Sequence, residues 1–294
     1  MVAAEEHRNP SMERSMSDPA PNPVTTHYAA LLASRYTWMM GGLDGCVSSA
    51  RALFDAVGIT DEGHGTVLDL GAGAGYHARV LASRGFTVVA VDTSETLLKE
   101  LAEVCAGQAV TPIQADLLDE AKYAGHGPFM LMLCVGDTLT HLASPKDVER
   151  LIRSAARLLV PGGALLLQFR EQERELTPQE CVFTMRSERD RIMQCVLHFE
   201  KDRVWVTDTV HEWNGQAWIT TKSTYPKLRL STSEILEIAT TAGLNVRVND
   251  TLFRQRVLVL TRSDSKSGWG SSPRRSGRAP RRGERMKAAG SRPG

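Results

Sequence analysis

The 294-residue sequence predicts an α/β fold: a largely parallel sheet with an antiparallel β insertion after the fifth strand. Three observations lead there. Apolar, β-branched runs alternate with amphipathic stretches between Thr66 and Phe169. A glycine-rich turn, Gly71-Ala-Gly-Ala-Gly75, joins the first run to the stretch that follows it. After Arg170 the pattern changes to period-two segments separated by polar turns.

Taken in order, residues 1–25 carry Ser, Pro, Met and charge without periodicity, and Pro19, Pro21 and Pro23 argue against a regular helix, so this segment is expected to be disordered. Residues 26–60 are expected to form a helical lid, with an aromatic cluster of Tyr36 and Trp38 and a second helix over Val47 to Val57. Strands are predicted at Thr66–Leu70, Thr87–Asp92, Val110–Ala115, Phe129–Val135 and Ala164–Phe169. The helices between them are predicted at His77–Arg84, Glu95–Ala106 and Lys146–Leu159. The last has the clearest ends: Ser144 can cap it, Pro145 suits its first turn, Asp147 complements its dipole, and Pro161-Gly162-Gly163 stops it.

Residues 171–229 should form the antiparallel insertion, with strands Cys181–Arg186, Met193–Glu200, Arg203–Trp213 and Gln216–Tyr225. Asn214-Gly215 is a tight-hairpin signal between the last two. By alternation Trp205, Thr207, Thr209, His211 and Trp213 share one face, which suits either a pocket roof or a wet interface that would make a homo-oligomer. A capping box, Ser231 with Glu234, opens a helix that ends at Gly243, and strands Asn245–Asn249 and Gln255–Thr261 follow. Residues 61–170 and 230–262 are thus read as one domain interrupted by the insertion.

The net charge of +1 conceals an asymmetry. Residues 263–294 hold nine Lys or Arg against two acids, leaving 26 basic and 32 acidic residues in the rest. A body with a net charge of −6 offers no broad phosphate-binding face, so nucleic-acid binding would have to come from the Arg-rich tail, itself expected to be disordered. Five cysteines, odd in number and without Cys-x-x-Cys, read as reduced thiols and predict neither disulfides nor a metal site. No signal-like or membrane-spanning apolar run is present, and a cytoplasmic location with no membrane partner is expected.

The glycine turn departs from a dinucleotide fingerprint. Tyr76 stands where that fingerprint needs Gly or Ala, and Asp69, two residues before Gly71, would repel a pyrophosphate. Asp92 lies 21 residues after Gly71 at the end of the second strand, placed to accept ribose hydroxyls, and Asp116 ends the third. Three acids around a glycine turn describe a site for an adenosine carrying a positive centre, S-adenosylmethionine.

Through Val67-Leu-Asp-Leu-Gly-Ala-Gly-Ala-Gly75, Val88-Val-Ala-Val-Asp92, Gln114-Ala-Asp-Leu117 and Leu159-Val-Pro-Gly-Gly163, the sequence resembles the class I S-adenosylmethionine-dependent methyltransferases over residues 60–262. The resemblance implies a Rossmann-like seven-stranded sheet with an antiparallel last strand and cofactor across the strand ends. It also implies roles: Asp69 and the backbone of Gly71, Ala72 and Gly73 for the methionine part, Asp92 with Thr93 for the ribose, and Asp116 with Leu117 for the adenine. Tyr36 from the lid and Cys134 at the end of the fourth strand are expected beside the same ligand.

Cys134-Val-Gly-Asp-Thr-Leu-Thr-His-Leu142 is similar to the Gly-Asn-Ser-x-x-His-Leu stretch of the glycine N-methyltransferase-like branch, with Asp137 in place of Asn. It lacks the Asn/Asp-Pro-Pro-Tyr and Pro-Cys patterns of nucleic-acid methyltransferases. The likeness implies that Asp137 and His141 orient the nucleophile or take its proton, and that Arg170 grips an anionic group of the small-molecule acceptor. Methyl transfer to an amine nitrogen is therefore expected. O-methylation of a small molecule is the alternative, and a nucleic-acid-associated enzyme or adaptor using the tail is a further one.

Overall fold

Pro23 occupies the first turn of a short helix, α1 (Pro23–His27), where its missing N–H is no loss, and Asn22 caps that turn by accepting from Val24 N at 2.9 Å. The structure, a computed structural model, describes residues 22–59, 63–172 and 176–263. The expected irregular N-terminus therefore gives way to helix at 23–25, because proline breaks a helix in its interior and not at its start. The expectations for residues 1–21 and 264–294 lie outside the described residues.

A π-helical turn, Tyr28–Leu32, and a 3-10 turn, Ala33–Arg35, lead into α2 (Tyr36–Met39) and then α3 (Leu43–Val57). The sheet elements follow in alternation: β1 (Thr66–Leu70), α4 (Tyr76–Ser83), β2 (Thr87–Asp92), α5 (Glu95–Val104), β3 (Val110–Gln114), β4 (Phe129–Cys134), α6 (Pro145–Leu158) and β5 (Leu159–Phe169). β5 starts five residues earlier than expected. Its first half, through Pro161-Gly-Gly, pairs with β4 across a register shift between Phe129 and Leu131. The insertion comprises β6 (Val182–Ser187), β7 (Arg191–Phe199), β8 (Arg203–Trp213) and β9 (Trp218–Leu228), and the chain returns through α7 (Thr232–Thr241), β10 (Leu244–Leu252) and β11 (Gln255–Arg262).

Seven strands form one sheet in the order β10-β11-β5-β4-β1-β2-β3, with β1 to β5 parallel and β11 antiparallel to β5. The insertion is a separate antiparallel sheet, β6-β7-β8-β9. Both faces of the large sheet are covered, which explains strands that are apolar throughout. Leu68 and Leu70 pack with Val148, Leu151 and Ile235 on one face; Val67 and Val88 pack with Leu53, Phe54 and Leu81 on the other. Asp69 follows the Val67 face by alternation and is fully buried there. Among the described residues no helix is long and apolar enough to cross a membrane.

β9 runs three residues beyond its predicted end at Tyr225. No turn chemistry intervenes, and Pro226 is tolerated because β9 is an edge strand that pairs only with β8. That extension delivers Lys227 to the neighbourhood of the site.

Candidate active site

The strand order reverses between β1 and β4, and ligands of open α/β sheets bind beyond the carboxyl ends of strands at such a point. Here β1 gives way to Gly71, whose φ of 78° is left-handed; a Cβ on it would lie 2.4 Å from Thr138 Cγ2. Gly71 N and Ala72 N both donate to Val91 O, at 2.8 and 3.0 Å, which ties the loop to the end of β2. Gly73, with φ of 55°, is different: a Cβ there would meet nothing nearer than Tyr36 Cε1 at 4.0 Å and would project into open space.

Asp92 closes β2 and is held from both sides. Its Oδ2 accepts from Gly73 N at 2.9 Å and its Oδ1 from Ser94 N at 2.8 Å. Burial raises its pKa, and backbone N–H groups at Ser94, Gly73 and Thr93 work in the opposite direction. Each oxygen accepts one bond from the chain, and a carboxylate has about four acceptor sites, so capacity for two hydroxyls remains. At the end of β3 the Oδ1 of Asp116 accepts from Leu118 N at 2.8 Å, an Asx turn that presents Leu117.

The other wall follows β4. Gly136 and Asp137 are both left-handed, with φ of 69° and 76°, and a 3-10 turn, Thr138–His141, follows. Asp137 Oδ1 accepts from Arg170 N at 2.9 Å and Oδ2 from Lys227 Nζ at 2.6 Å. Burial opposes its ionisation, yet Lys227, His141 and these bonds hold its pKa below the ordinary value. His141 meets the rings of Tyr28 and Tyr225 edge-on, at centroid separations of 5.9 and 5.6 Å. Burial, assisted by Lys227 and partly offset by Asp137, lowers its pKa to about 3. The imidazole is neutral at physiological pH.

One cleft collects most of the expected residues: Tyr36, Gly71, Gly73, Asp92 and Thr93, together with Asp116, Leu117 and His141, all line it. Ala72, Asp69 and Cys134 do not line it. Ala72 is bound to β2 through its N–H, and Cys134 is fully buried, its thiol pushed far up by burial. Asp69 is also fully buried, with neither carboxylate oxygen hydrogen-bonded, and burial followed by the nearby Asp92 raises its pKa to about 7.

Asp137 and Arg170 are placed differently from their expected roles. Both oxygens of Asp137 are committed within the chain, and the residue is absent from the cleft wall. The Arg170 side chain is 55% exposed and also outside the cleft, its Nε 3.9 Å from Asp137 Oδ2. β5 ends at Phe169, so Arg170 begins the path out to the insertion. Trp38, expected beside Tyr36 as a lid, instead packs toward the insertion with the Arg191 guanidinium 4.9 Å from its ring centroid.

Sequence reasoning missed Asn22, Val24, Thr25 and Tyr28, which form the N-terminal wall. Asn22, Val24 and Thr25 fall in the proline-rich lead-in that reads as irregular, and Tyr28 falls in the expected helical lid with no cleft role marked by its sequence. Tyr76, which argues in the sequence against a dinucleotide, also has a structural part. Its buried ring reaches the lid, and its hydroxyl bonds Thr37 Oγ1, which also bonds Glu100.

The residues present fit S-adenosylmethionine: Gly73 leaves room, Asp92 has spare acceptor capacity, and Asp69 is a partnerless buried acid near a site for a cation. Among the described residues no group of His, Cys, Asp and Glu is arranged to hold a metal ion.

Residues 67–163 match the family model described as "Methyltransferase domain". The chain is 37% identical over 106 residues to ubiquinone biosynthesis O-methyltransferase of Caulobacter sp. (strain K31), across 34% of this chain and 39% of that protein. It is 29% identical over 120 residues to glycine/sarcosine N-methyltransferase of Parasynechococcus marenigrum, across 40% of this chain and 42% of that protein. The chain thus spans about two-fifths of the length of these relatives. Among solved structures it is similar in fold to the CcbJ methyltransferase of Streptomyces caelestis, with a TM-score of 0.63 and 20% identity over 83% of this chain and 97% of that one.

The sheet order and acid-bearing strand ends agree with the family match over residues 67–163, a methyltransferase domain whose cleft suits S-adenosylmethionine. The glycine N-methyltransferase-like branch is not singled out, because the oxygen-methylating relative is the more similar of the two.

Proposed function

We propose that the protein transfers a methyl group from S-adenosylmethionine to a hydroxyl oxygen of a small, neutral acceptor. One observation carries the choice of oxygen: His141 lines the cleft as a neutral imidazole, and the wall around it, Asn22, Val24, Thr25, Tyr28 and Leu142, has no charged side chain. An amino-acid-like acceptor would need partners for its charges. The two expected for that purpose, Asp137 and Arg170, lie outside the cleft.

When bound, the cofactor supplies a methyl already activated by its sulfonium. The chain then has three tasks: holding, orienting and removing a proton. Asp92 accepts from the ribose hydroxyls, Leu117 and the Asp116 turn meet the adenine, and the backbone from Gly71 to Gly73 with Tyr36 encloses the methionine part. His141 takes the hydroxyl proton as the methyl is transferred.

A second reading, transfer to an amine nitrogen, has specific support in the 29% identity to a glycine/sarcosine N-methyltransferase. A screen with methyl-labelled S-adenosylmethionine over matched pairs, each alcohol or phenol beside its amine counterpart, separates the two. The expected result is label on oxygen. Label on amines with none on their hydroxyl partners would replace the reading with the second; no transfer to either, with cofactor bound, would overturn both.

A further inference from the structure

Lys227 belongs to the insertion, yet its ammonium reaches the turn that follows β4. Its side chain is 14% exposed, and Nζ stands 2.6 Å from Asp137 Oδ2. By strand alternation Tyr225 shares its side of β9, and that ring meets His141. We infer that Lys227 is a positioning residue of the active site: by clamping Asp137 it fixes the left-handed turn that carries His141 to the cleft wall. This rests on the reading of His141 as the proton acceptor.

The geometry suits such a clamp. A left-handed conformation is unfavourable for a non-glycine residue, and Asp137 adopts one directly after Gly136 does. Holding the side chain offsets that strain, and Asp137 is held at both oxygens, by the backbone at the end of β5 and by Lys227. The Asp137 carbonyl then accepts from Thr140 N at 3.1 Å and Thr140 Oγ1 at 2.7 Å, closing the turn one residue before His141. The side chain therefore transmits the position of β9 to the imidazole.

A second consequence is electrostatic. The groups facing His141 are Lys227 and Tyr225 from β9, Asp137 from its own turn, and His27 and Tyr28 from the N-terminal segment. After burial, Lys227 is the largest influence that disfavours the protonated ring, and Asp137 opposes it. Removing the ammonium takes away that repulsion and leaves Asp137 attractive, so both changes favour protonation.

The test uses the full chain saturated with S-adenosylhomocysteine, with His141 imidazole resonances assigned by their loss in His141→Gln and followed by NMR from pH 8 down to pH 2. In Lys227→Met the His141 midpoint should rise by at least ~1 pH unit, and its ring contacts with Tyr28 should weaken. Lys227→Arg, which keeps the charge and can keep the clamp, should restore the wild-type titration and contacts. If Lys227→Met fails to fold, Lys227→Met/Asp137→Asn leaves no buried charge unmatched and should still lose the Tyr28 contacts. Wild-type titration and ring contacts in the folded Lys227→Met protein, or wild-type ring contacts in the double variant where only that one folds, would overturn the inference. The readout needs no acceptor, so it can fail while methyl transfer through His141 stands. Conversely, an active His141→Gln enzyme would remove the proton-acceptor reading whatever Lys227 does.

Discussion

His27 Nε2 lies 3.1 Å from Asp208 Oδ2, with both side chains buried, so the last residue of α1 is anchored in the middle of β8. The His27 ring also stacks on Tyr225 at a centroid separation of 4.1 Å. The first described helix and the insertion therefore close one side of the cleft together, and Arg35, bonded to Glu212 of β8 at 2.5 Å, adds a second tie. Asp208→Asn should cost about 1–3 kcal/mol of stability by weakening a buried polar contact, measured as a lower urea midpoint. Faster proteolytic cleavage within residues 22–32 should accompany it. Unchanged protection of that segment would show that the tie does not hold it.

Asp92→Ala should lower S-adenosylmethionine affinity by about 1.5–3 kcal/mol, roughly 10- to 150-fold, as for the loss of charge-assisted hydrogen bonds. Titration calorimetry reads this directly. Affinity equal to that of the wild type would remove Asp92 from the ribose site.

Gly73→Ala and Gly71→Ala should differ in kind. The Gly73 variant meets open space, so it should fold with a penalty near the ~1–2 kcal/mol of a left-handed non-glycine residue and lose cofactor affinity. The Gly71 variant drives a methyl into Thr138 and should lose far more stability. Melting curves beside calorimetry on both proteins separate the two effects.

Asp69 makes stability depend on pH in a definite direction. Its folded pKa, about 7, lies above the ordinary carboxylate value of 3.8, so the folded protein binds its proton more tightly than the unfolded chain does. The favourable contribution is complete below about pH 4, and it is lost as pH rises through about 7. Asp69→Asn, which cannot ionise, should gain on the wild type between pH 5 and pH 8 in urea midpoints. A constant difference across that range would refute the raised pKa.

His141→Gln should reduce turnover by about 10²–10⁴-fold and leave S-adenosylmethionine affinity within a few-fold. The best hydroxyl acceptor from the labelling screen serves as substrate. Loss of cofactor binding in parallel would assign the residue to the cofactor and not to proton transfer.

The seven-stranded sheet and its insertion were legible because their signals are local. β1, β2 and β8 have the predicted limits, set by apolar runs and turn residues. Asp92 and Asp116 reached one cleft because strand ends are separated by a regular repeat. The acceptor side was harder to read. Asp137 looked like a free carboxylate, since nothing near it in sequence reveals a lysine 90 residues away. Arg170 was expected as an anchor through the likeness to the glycine N-methyltransferase-like branch, and whether a residue at the end of a buried strand turns inward depends on the loop after it. Asn22, Val24 and Thr25 were hidden by prolines whose position at a helix start, not their number, decides the outcome.

The socket that receives His27 has a consequence for synthesis. Asp208 and Tyr225 are translated about 180 and 200 residues after the histidine they hold, and nascent chains lengthen at about 5–20 residues per second. For some ten seconds or more the amino-terminal segment has no place to dock. The glycine loop and the acids at 92 and 116 emerge well before that. A nascent chain therefore presents the strand ends that line the cleft first, and the side of the cleft closed by His27 is completed only once the insertion has left the ribosome.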